Sequence, residues 1–432
     1  MKFLNFMAYA LTASAMTFAF AACGGDDDNP DPDPVPKPDP VKEVLSAEEA
    51  KEYLEDAANK FLYLFDSNDQ RQLAELAEYV NDNYGKLDAP AAWDADDRSF
   101  TPDDFTRAMA RAYKTRSYAP VSRASYVYRF SDYAGVYEAG SRAWIKTGDS
   151  KDIIFRFKGA KGDCELKAVA DKGEWNADWE EDWDKYTVKV PGRVRVTLTE
   201  ASTVLVDITV DSNANTNSRT ATLNVNATVM NLNMVAAVNA SNSEIVETQT
   251  LSVNGTPYQT STATLRGKNM LEENTFDRLD EGRLEYGDVF SNASANVDVM
   301  GYVQVRGTAS NFSAIADALD ETYWDSYKYD SPSEAEVVCR RACDNFNKNV
   351  DATVYFSGTN VAQASIILAP KFEDESGYGW RYWEWSSNPV IQYKDDDSTQ
   401  SFDDFFEDSS FASVEDHWDS IIRAYKRLWD FF

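Results

Sequence analysis

Histidine is almost absent from this chain, and the shortage limits the chemistry that the chain can perform. The single histidine, His417, would have to serve any Ser-His-Asp or Cys-His site. Its neighbours lie on a predicted helix whose apolar stripe is typical of a core. The chain also lacks a Gly-rich phosphate loop, a His-Glu-x-x-His helix and a Gly-x-Ser-x-Gly elbow. We therefore expect no cofactor and favour a non-enzymatic protein over an enzyme.

Basic side chains are too few to balance the acidic ones. The sequence has 42 lysines and arginines against 73 aspartates and glutamates, which gives a formal net charge of −31. A field of that sign repels nucleic acid and the anionic surface of a membrane. Nucleic acid is therefore excluded as a partner, and we expect contact with a membrane only through a covalent anchor.

Cysteine is scarce as well, with four residues in the chain. Cys339 and Cys343 occupy positions i and i+4 of a predicted helix, but no histidine lies near them, so we expect no metal site. In an exported chain a disulfide from Cys164 to either of them is chemically permitted. The sequence does not choose between that bond and buried thiols.

A long apolar run occurs only at the N-terminus. It extends from Phe3 to Phe20 after Lys2 and ends in small residues, which is typical of a signal peptide rather than a spanning helix. The motif Phe20-Ala21-Ala22-Cys23 resembles the bacterial lipobox, with Phe20 where leucine is usual. The resemblance implies that residues 1–22 are removed and that Cys23 carries an acyl anchor such as palmitate.

The residues after Cys23 predict an extended tether over 23–45. Three aspartates follow Gly24-Gly25, and from Pro30 to Pro40 every second residue is proline, with mostly charged residues between. Repeated proline favours an extended backbone without internal hydrogen bonds. The acidic run is similar to the surface-export signal of Bacteroides-type lipoproteins. That similarity implies a protein anchored in the outer membrane and facing the cell exterior.

Patterns in the rest of the chain predict an α+β fold. Ser46 and Glu49 form a capping box that starts a helix, Gly85 ends a second helix, and Thr101 starts a third. We predict a helical cluster over 46–117 and an antiparallel β-meander over 118–310. A helix from Pro332, a hairpin over 350–368 and a helix from Ser413 are predicted to close the chain over 311–432.

Alternation of apolar and polar residues predicts the hairpins of the β region. Val194, Val196 and Leu198 alternate with polar residues, as do the residues from Val204 to Val210, so one face of this hairpin should be buried. The alternation changes phase at Met230-Asn231, which predicts a bulge or bend. Asn254-Gly255 predicts a two-residue turn, and the polar residues 211–217 predict a loop.

The arrangement as a whole resembles lipoproteins of gut Bacteroides whose role is uncharacterised. The run from Val190 to Thr199, Val-Pro-Gly-Arg-Val-Arg-Val-Thr-Leu-Thr, carries most of this resemblance. The resemblance implies an exported, lipid-anchored body, and it brings no catalytic residue with it.

Two clusters of aromatic and acidic residues are the candidate binding sites. The first contains Trp175, Trp179 and Trp183 among carboxylates, and the second contains Trp380, Trp383 and Trp385 with Tyr378, Tyr382 and Glu384. An indole face can stack on the apolar face of a sugar ring while carboxylates accept hydrogen bonds from its hydroxyls. In a strand, however, Trp383 and Trp385 would point away from Tyr382 and Glu384, so part of the second cluster should be core.

These observations predict a membrane-anchored surface lipoprotein that is more a binding protein than an enzyme. Its ligand is not identified by the sequence, and the candidates are a glycan or another component of the cell envelope, such as an envelope protein. One alternative is an envelope hydrolase with a pair of catalytic carboxylates, which would require two acids at a fixed separation in a cleft. A second alternative is a carrier of lipid or lipoprotein, which would require an apolar face or cavity enclosed by a curved sheet.

Overall fold

The computed structural model describes residues 39–62, 67–88, 90, 125–181, 184–215, 218–272, 275–280, 282–320, 323–374 and 382–402. Several predicted features lie outside these residues. They are the lipidated Cys23, the tether up to residue 38, the helix from Thr101, the closing helix from Ser413 and His417.

The predicted α+β class is wrong. The described residues form eighteen strands of a large mixed sheet, with strand making up 55% of the structure and helix 22%. The predicted antiparallel pairing is confirmed in most ladders, although β1 pairs with β6, and β2 with β4, in parallel.

The helices are α1 Ala47–Leu62, α2 Ser67–Asn83, α3 Thr275–Asp280, α4 Tyr286–Val289, α5 Phe312–Asp320 and α6 Pro332–Asn349. The strands are β1 Ser125–Arg129, β2 Gly135–Ala139, β3 Trp144–Gly148, β4 Ile153–Lys158, β5 Asp163–Glu181, β6 Asp184–Glu200, β7 Thr203–Asn215, β8 Thr220–Val229, β9 Leu232–Ser241, β10 Glu244–Val253, β11 Thr256–Gly267, β12 Phe290–Val299, β13 Val303–Ser310, β14 Tyr323–Asp325, β15 Val350–Phe356, β16 Ala362–Asp374, β17 Trp383–Tyr393 and β18 Thr399–Ser401.

The fold class was predicted wrongly because several long strands are rich in polar residues. Strand β5 has 19 residues and β6 has 17, and together they include most of the acidic segment 174–184. The polar residues from Asp211 to Asn215 lie in β7 rather than in a loop. In a ladder the backbone groups of these residues are paired whatever their side chains, and an antiparallel sheet can leave one face in water.

The chain divides into two compact units. The first contains the described residues of Met1–Phe65, Tyr258–Lys268 and Leu284–His417, and the second contains those of Asp66–Pro257, Asn269–Arg283 and Trp418–Phe432. In the second unit the ladders run in the order β3-β2-β4-β5-β6-β7-β8-β9-β10. In the first unit they run β11-β12-β13-β15-β16-β17-β18, with β14 also on β17.

Helix α2 closes the core of the second unit. Its residues Leu73, Leu76, Ala77 and Val80 are buried against aromatic and aliphatic side chains of the sheet. The sheet contributes Tyr137, Trp144, Phe155, Phe157, Leu198 and Leu205 to this cluster. As predicted, Gly85 follows the end of the helix with a φ of +62°, which glycine adopts without the steric penalty of a side chain.

Helices α1 and α6 build the core of the first unit. The predicted capping box of α1 is confirmed, since the Ser46 backbone N–H donates to Glu49 Oε2 at 2.9 Å. Ala50 of α1 is buried against Phe356, whose ring stacks on Tyr53 with centroids 4.4 Å apart. Helix α6 also starts as predicted, with the Glu334 N–H donating to Ser331 Oγ.

The change of phase at Met230-Asn231 has a simpler cause than the predicted bulge. These two residues form the turn between β8 and β9, in which Val229 pairs with Leu232 and Met230 has a φ of +54°. The chain reverses there, so the alternation restarts on the returning strand. Asn254 and Gly255 also have positive φ, as the predicted two-residue turn requires.

The cysteines of the described residues are free, buried thiols. Cys164 lies in the second unit, and Cys339 and Cys343 lie in the first. Burial raises the pKa of Cys164 to about 12, with a further contribution from the nearby Glu200 carboxylate. Within the described part of the chain, each helix is too short or too polar to cross a lipid bilayer.

Candidate functional site

Strand β17 divides the second predicted aromatic cluster between its two faces. Trp383 and Trp385 lie on one side of the strand, whereas Glu384, next to the preceding Tyr382, lies on the other. Trp380 lies outside the described residues. The predicted cluster is therefore not a single site, and each face has to be considered separately.

The tryptophan side of β17 is packed against helix α6. Trp383 is 9% exposed and belongs to a cluster with Trp324 of β14 and with Cys339 and Cys343 of α6. Trp385 lies opposite Trp324 in the ladder and is half-buried, with its ring 5.1 Å from that of Phe372. The Trp383 indole is covered by protein and the Trp385 indole is partly covered, so they offer less ring surface to a ligand than an exposed aromatic side chain does.

The opposite side of β17 presents tyrosines and carboxylates to solvent. Tyr323 is 61% exposed and Tyr327 is 87% exposed. Asp325 of β14 pairs directly with Glu384 of β17, so these carboxylates share a face with Tyr323. We name Tyr323, Asp325, Tyr327, Tyr382 and Glu384 the tyrosine patch.

A tight turn holds Tyr327 in its exposed position. The Asp325 carboxylate accepts hydrogen bonds from the backbone N–H groups of Tyr327 at 2.9 Å and Lys328 at 3.2 Å. The Ser326 N–H donates to the Trp383 carbonyl at 3.0 Å, which ties the turn to β17. An aspartate that accepts from residues following it in this way fixes a turn, so Tyr327 is presented by a structured segment.

Hydrogen bonds and an ion pair also fix the side chains around the turn. The Tyr382 hydroxyl donates to Glu384 Oε2 at 2.5 Å, and its ring centroid lies 5.8 Å from that of Tyr327. Glu373 of β16 lies opposite Glu384 in the backbone ladder. Its side chain forms an ion pair with Lys371 at 2.8 Å. The result is a set of exposed ring faces beside carboxylate oxygens on one surface.

Sequence reasoning included Tyr382 and Glu384 in the second cluster but missed Tyr323 and Tyr327. Their segment, Tyr323-Trp324-Asp325-Ser326-Tyr327, has the same mixture of aromatic and acidic residues as the predicted clusters. That composition was a usable signal. The pairing of β14 with β17, which brings the two segments together, was not visible in the sequence.

The first predicted cluster lies on a long hairpin of the second unit. Trp175 of β5 is half-buried, and its indole N–H donates to the buried Ser212 Oγ of β7 at 3.1 Å. The backbone of Trp179 pairs with Tyr186, whereas its side chain and the whole of Trp183 are outside the described part. Of this cluster, only Trp175 can therefore be assigned an environment, and it is a packed one.

Two thiols lie together beneath the tryptophan side of β17. A hydrogen bond with Cys343 and burial both raise the pKa of Cys339, whose Sγ also donates to the Ser386 carbonyl at 3.5 Å. Among the described residues, no group of three or more histidine, cysteine, aspartate or glutamate side chains is arranged to hold a metal ion.

No protein-family model, no curated protein and no solved structure matches this chain. The resemblance to uncharacterised Bacteroides lipoproteins therefore stays a prediction from the sequence. The tyrosine patch is interpreted from its own geometry and chemistry.

Proposed function

We propose that this protein is a non-enzymatic, lipid-anchored surface protein that binds a glycan through the tyrosine patch. The observation that carries the proposal is the exposure of Tyr323 and Tyr327 beside the carboxylates of Asp325 and Glu384. The anchor on Cys23, the outer-membrane location and the outward orientation remain predictions from the sequence.

Exposed aromatic rings in a fixed position favour a ligand with flat apolar faces. A single exposed ring is ordinary on a protein surface, whereas exposed rings grouped in one patch are typical of binding surfaces. Tyrosine combines an apolar ring face with a hydroxyl, so it suits a sugar, which has apolar C–H faces and a polar rim. Because Asp325 fixes the turn, little conformational entropy is lost when a ligand stacks on Tyr327.

The charge of the patch limits the class of glycan. Glu373, Glu384 and Asp325 lie in one row across three strands, and the whole chain carries a net charge of −31. Carboxylates accept hydrogen bonds from sugar hydroxyls or ammonium groups but repel uronic and sialic acids. The patch therefore suits neutral or amino sugars.

The carboxylates of the patch are better suited to binding a glycan than to hydrolysing it. Each already has a fixed protein partner: Asp325 caps the turn, Glu384 accepts from Tyr382, and Glu373 pairs with Lys371. A glycosidase needs one carboxylic acid that can donate its proton to the leaving group and a second one beside the anomeric carbon. Groups engaged in this way are suited to positioning and recognition.

The proposal is tested by calorimetric titration of the chain without its predicted signal peptide and acyl anchor. The ligands are neutral gluco-oligosaccharides, chito-oligosaccharides and an acidic oligogalacturonide. We expect one of the first two to bind, and Tyr327→Ala to weaken its affinity about tenfold, or about 1.4 kcal/mol. The melting temperature of Tyr327→Ala should be unchanged because the ring is exposed.

The matched control is Tyr327→Phe, which retains the ring face and should retain most of the affinity. Equal affinity of Tyr327→Ala and the natural protein would show that the patch is not the binding site. Preference for the acidic oligosaccharide would contradict the electrostatic part of the proposal.

A further inference from the structure

The sheet of the second unit has one face that is apolar across five strands, β5 to β9, and continues onto β10. One row of paired residues runs from β5 to β10 and consists of Ala170, Val194, Val210, Val225, Ala236 and Gln249. The next row consists of Ala168, Val196, Ile208, Ala227, Met234 and Leu251. Residues directly opposite each other in a ladder share a face, so these two rows form one continuous surface, which we name the apolar face.

The apolar face is incompletely covered. Leu198 and Val206 form the row next to that of Val196 and Ile208. They belong to the core cluster that packs against helix α2, so that row is covered. Within the apolar face, Leu251 and Gln249 are buried, but the aliphatic side chains on β5 to β9 are half-buried. A face of valine, isoleucine and alanine that remains partly in water forgoes part of the free energy that full burial would provide.

The reverse side of the same strands shows what a water-facing surface looks like in this sheet. Arg193 donates two hydrogen bonds to Asp211, both at 2.9 Å, and Arg195 binds Asp207 at 2.9 and 2.7 Å. Asn226 of β8 and Val235 of β9 are exposed there. The contrast between the two sides indicates that the apolar face is adapted to an apolar partner and not to water.

A polar group lies at one end of the apolar face. Glu247 of β10 pairs with Val238, in the row next to that of Gln249, and shares the face with both. It is half-buried, and desolvation raises the pKa of its carboxyl. The Gln249 amide contacts Met234 Sδ at 3.5 Å. Across β5 to β9 the two rows are aliphatic apart from the Met234 thioether, so the polarity is confined to β10.

We infer that the apolar face binds an amphiphile, with its acyl chain lying across β6 to β9 and a cationic head group at Glu247. The path from β6 to Glu247 on β10 crosses four strand spacings, which makes it about 19 Å long, enough for an extended acyl chain and its head group. The two rows of the apolar face contain no aromatic ring, which suits a flexible chain better than a flat ring. Trp175 contacts the adjacent row at Ser212, on β7, three strands from Glu247. The half-buried carboxylate supplies the charge complementarity for an ammonium group. This site lies in the second unit and is independent of the proposed glycan site.

The first test is calorimetric titration of the full soluble chain with dodecylamine and dodecanoate below their micelle-forming concentrations. We expect the amine to bind at least tenfold more tightly than the acid. The net charge of −31 favours a cation anywhere on the surface, so the decisive variant is Glu247→Gln, which changes that total by one unit. It should weaken dodecylamine binding and remove most of the preference, without weakening dodecanoate binding.

Adjacent residues of β8 supply a matched pair for the acyl chain. Val225→Asp places a charge on the apolar face and should weaken dodecylamine binding at least tenfold. Asn226→Asp places the same charge on the reverse side of the same strand and should have no effect. Equal effects of the two variants would overturn the inference.

A labelling experiment keeps the inference testable if Val225→Asp does not fold. Val238→Cys on the apolar side and Asn239→Cys on the reverse side add one thiol each to a chain whose described cysteines are buried. Dodecylamine should slow alkylation of the first, measured by mass spectrometry, and not of the second. Equal rates with and without the amine would overturn the inference.

If the apolar face is covered by a second copy of the chain or by the chain itself, the Val225→Asp variant should behave differently. Light scattering that shows a dimer of the natural chain and a monomer of Val225→Asp would identify a second copy as the cover. A large loss of melting temperature in Val225→Asp, with no amphiphile binding by the natural chain, would show that the chain covers the face itself. Either result would overturn the inference.

Discussion

At the scale of single residues, the reverse side of the sheet in the second unit shows how an ion pair changes the pKa of a carboxyl group. Asp211 accepts hydrogen bonds from Arg193 and from Lys172, the latter at 2.8 Å. These contacts lower the pKa of Asp211 from 3.8 to about 2, mainly through the hydrogen bonds from Arg193. The carboxylate is therefore retained at a pH where an unfolded chain has already taken up the proton.

This shift predicts a small and specific effect of pH on stability. Because the pKa is lower in the folded state, the contribution of Asp211 is fully present above about pH 4 and is lost as the pH falls to about 2. At pH 7 the Asp211→Asn variant should melt about 2 °C below the natural protein, since exposed ion pairs contribute little. Thermal melts followed by circular dichroism should show this difference narrowing between pH 4 and pH 2. A difference that is constant over this range would mean that the ion pair does not contribute to folding.

At the scale of elements, helix α2 stabilises the second unit through its buried face and not through its exposed one. Leu76 is fully buried against the sheet, whereas Glu78, two residues later, is exposed. Leu76→Ala should therefore lower the free energy of unfolding by about 3 kcal/mol. Glu78→Ala should change it by less than about 0.5 kcal/mol. Urea unfolding followed by circular dichroism measures both, and equal effects would mean that α2 does not pack as described.

Local elements were predictable from the sequence, whereas the fold class and the site were not. The capping residues Ser46 and Ser331 act through hydrogen bonds to residues three positions away, so a short window of sequence contains the whole signal. The hairpins over 193–210 and 350–368 were predictable for the same reason. The length of the polar strand β5 was not predictable, because its backbone pairing depends on β6 and not on its own side chains. The tyrosine patch depends on the pairing of β14 with β17, which are distant in the chain.

At the scale of the whole molecule, the N-terminal segment predicts a lipid anchor that attaches the protein to a membrane. Cys23→Ser should move the protein from the membrane fraction to the soluble fraction, because the acyl chain is the expected anchor and the described helices cannot span a bilayer. Immunoblots of the separated fractions, with Ala22→Ser as a control that retains the thiol, measure this. Membrane association of Cys23→Ser that persists until detergent is added would contradict the predicted anchor.

The order of pairing in the second unit has a consequence for the route by which it folds. From β4 to β10 each strand pairs with the strand that follows it in the chain. Such contacts have low contact order, and each new hairpin closes only a short loop on an existing ladder. In the first unit, β13 pairs with β15 across the segment that contains α5 and α6, so that pairing must close a longer loop. The ladder from β4 to β10 is therefore expected to form strand by strand and ahead of the pairing of β13 with β15.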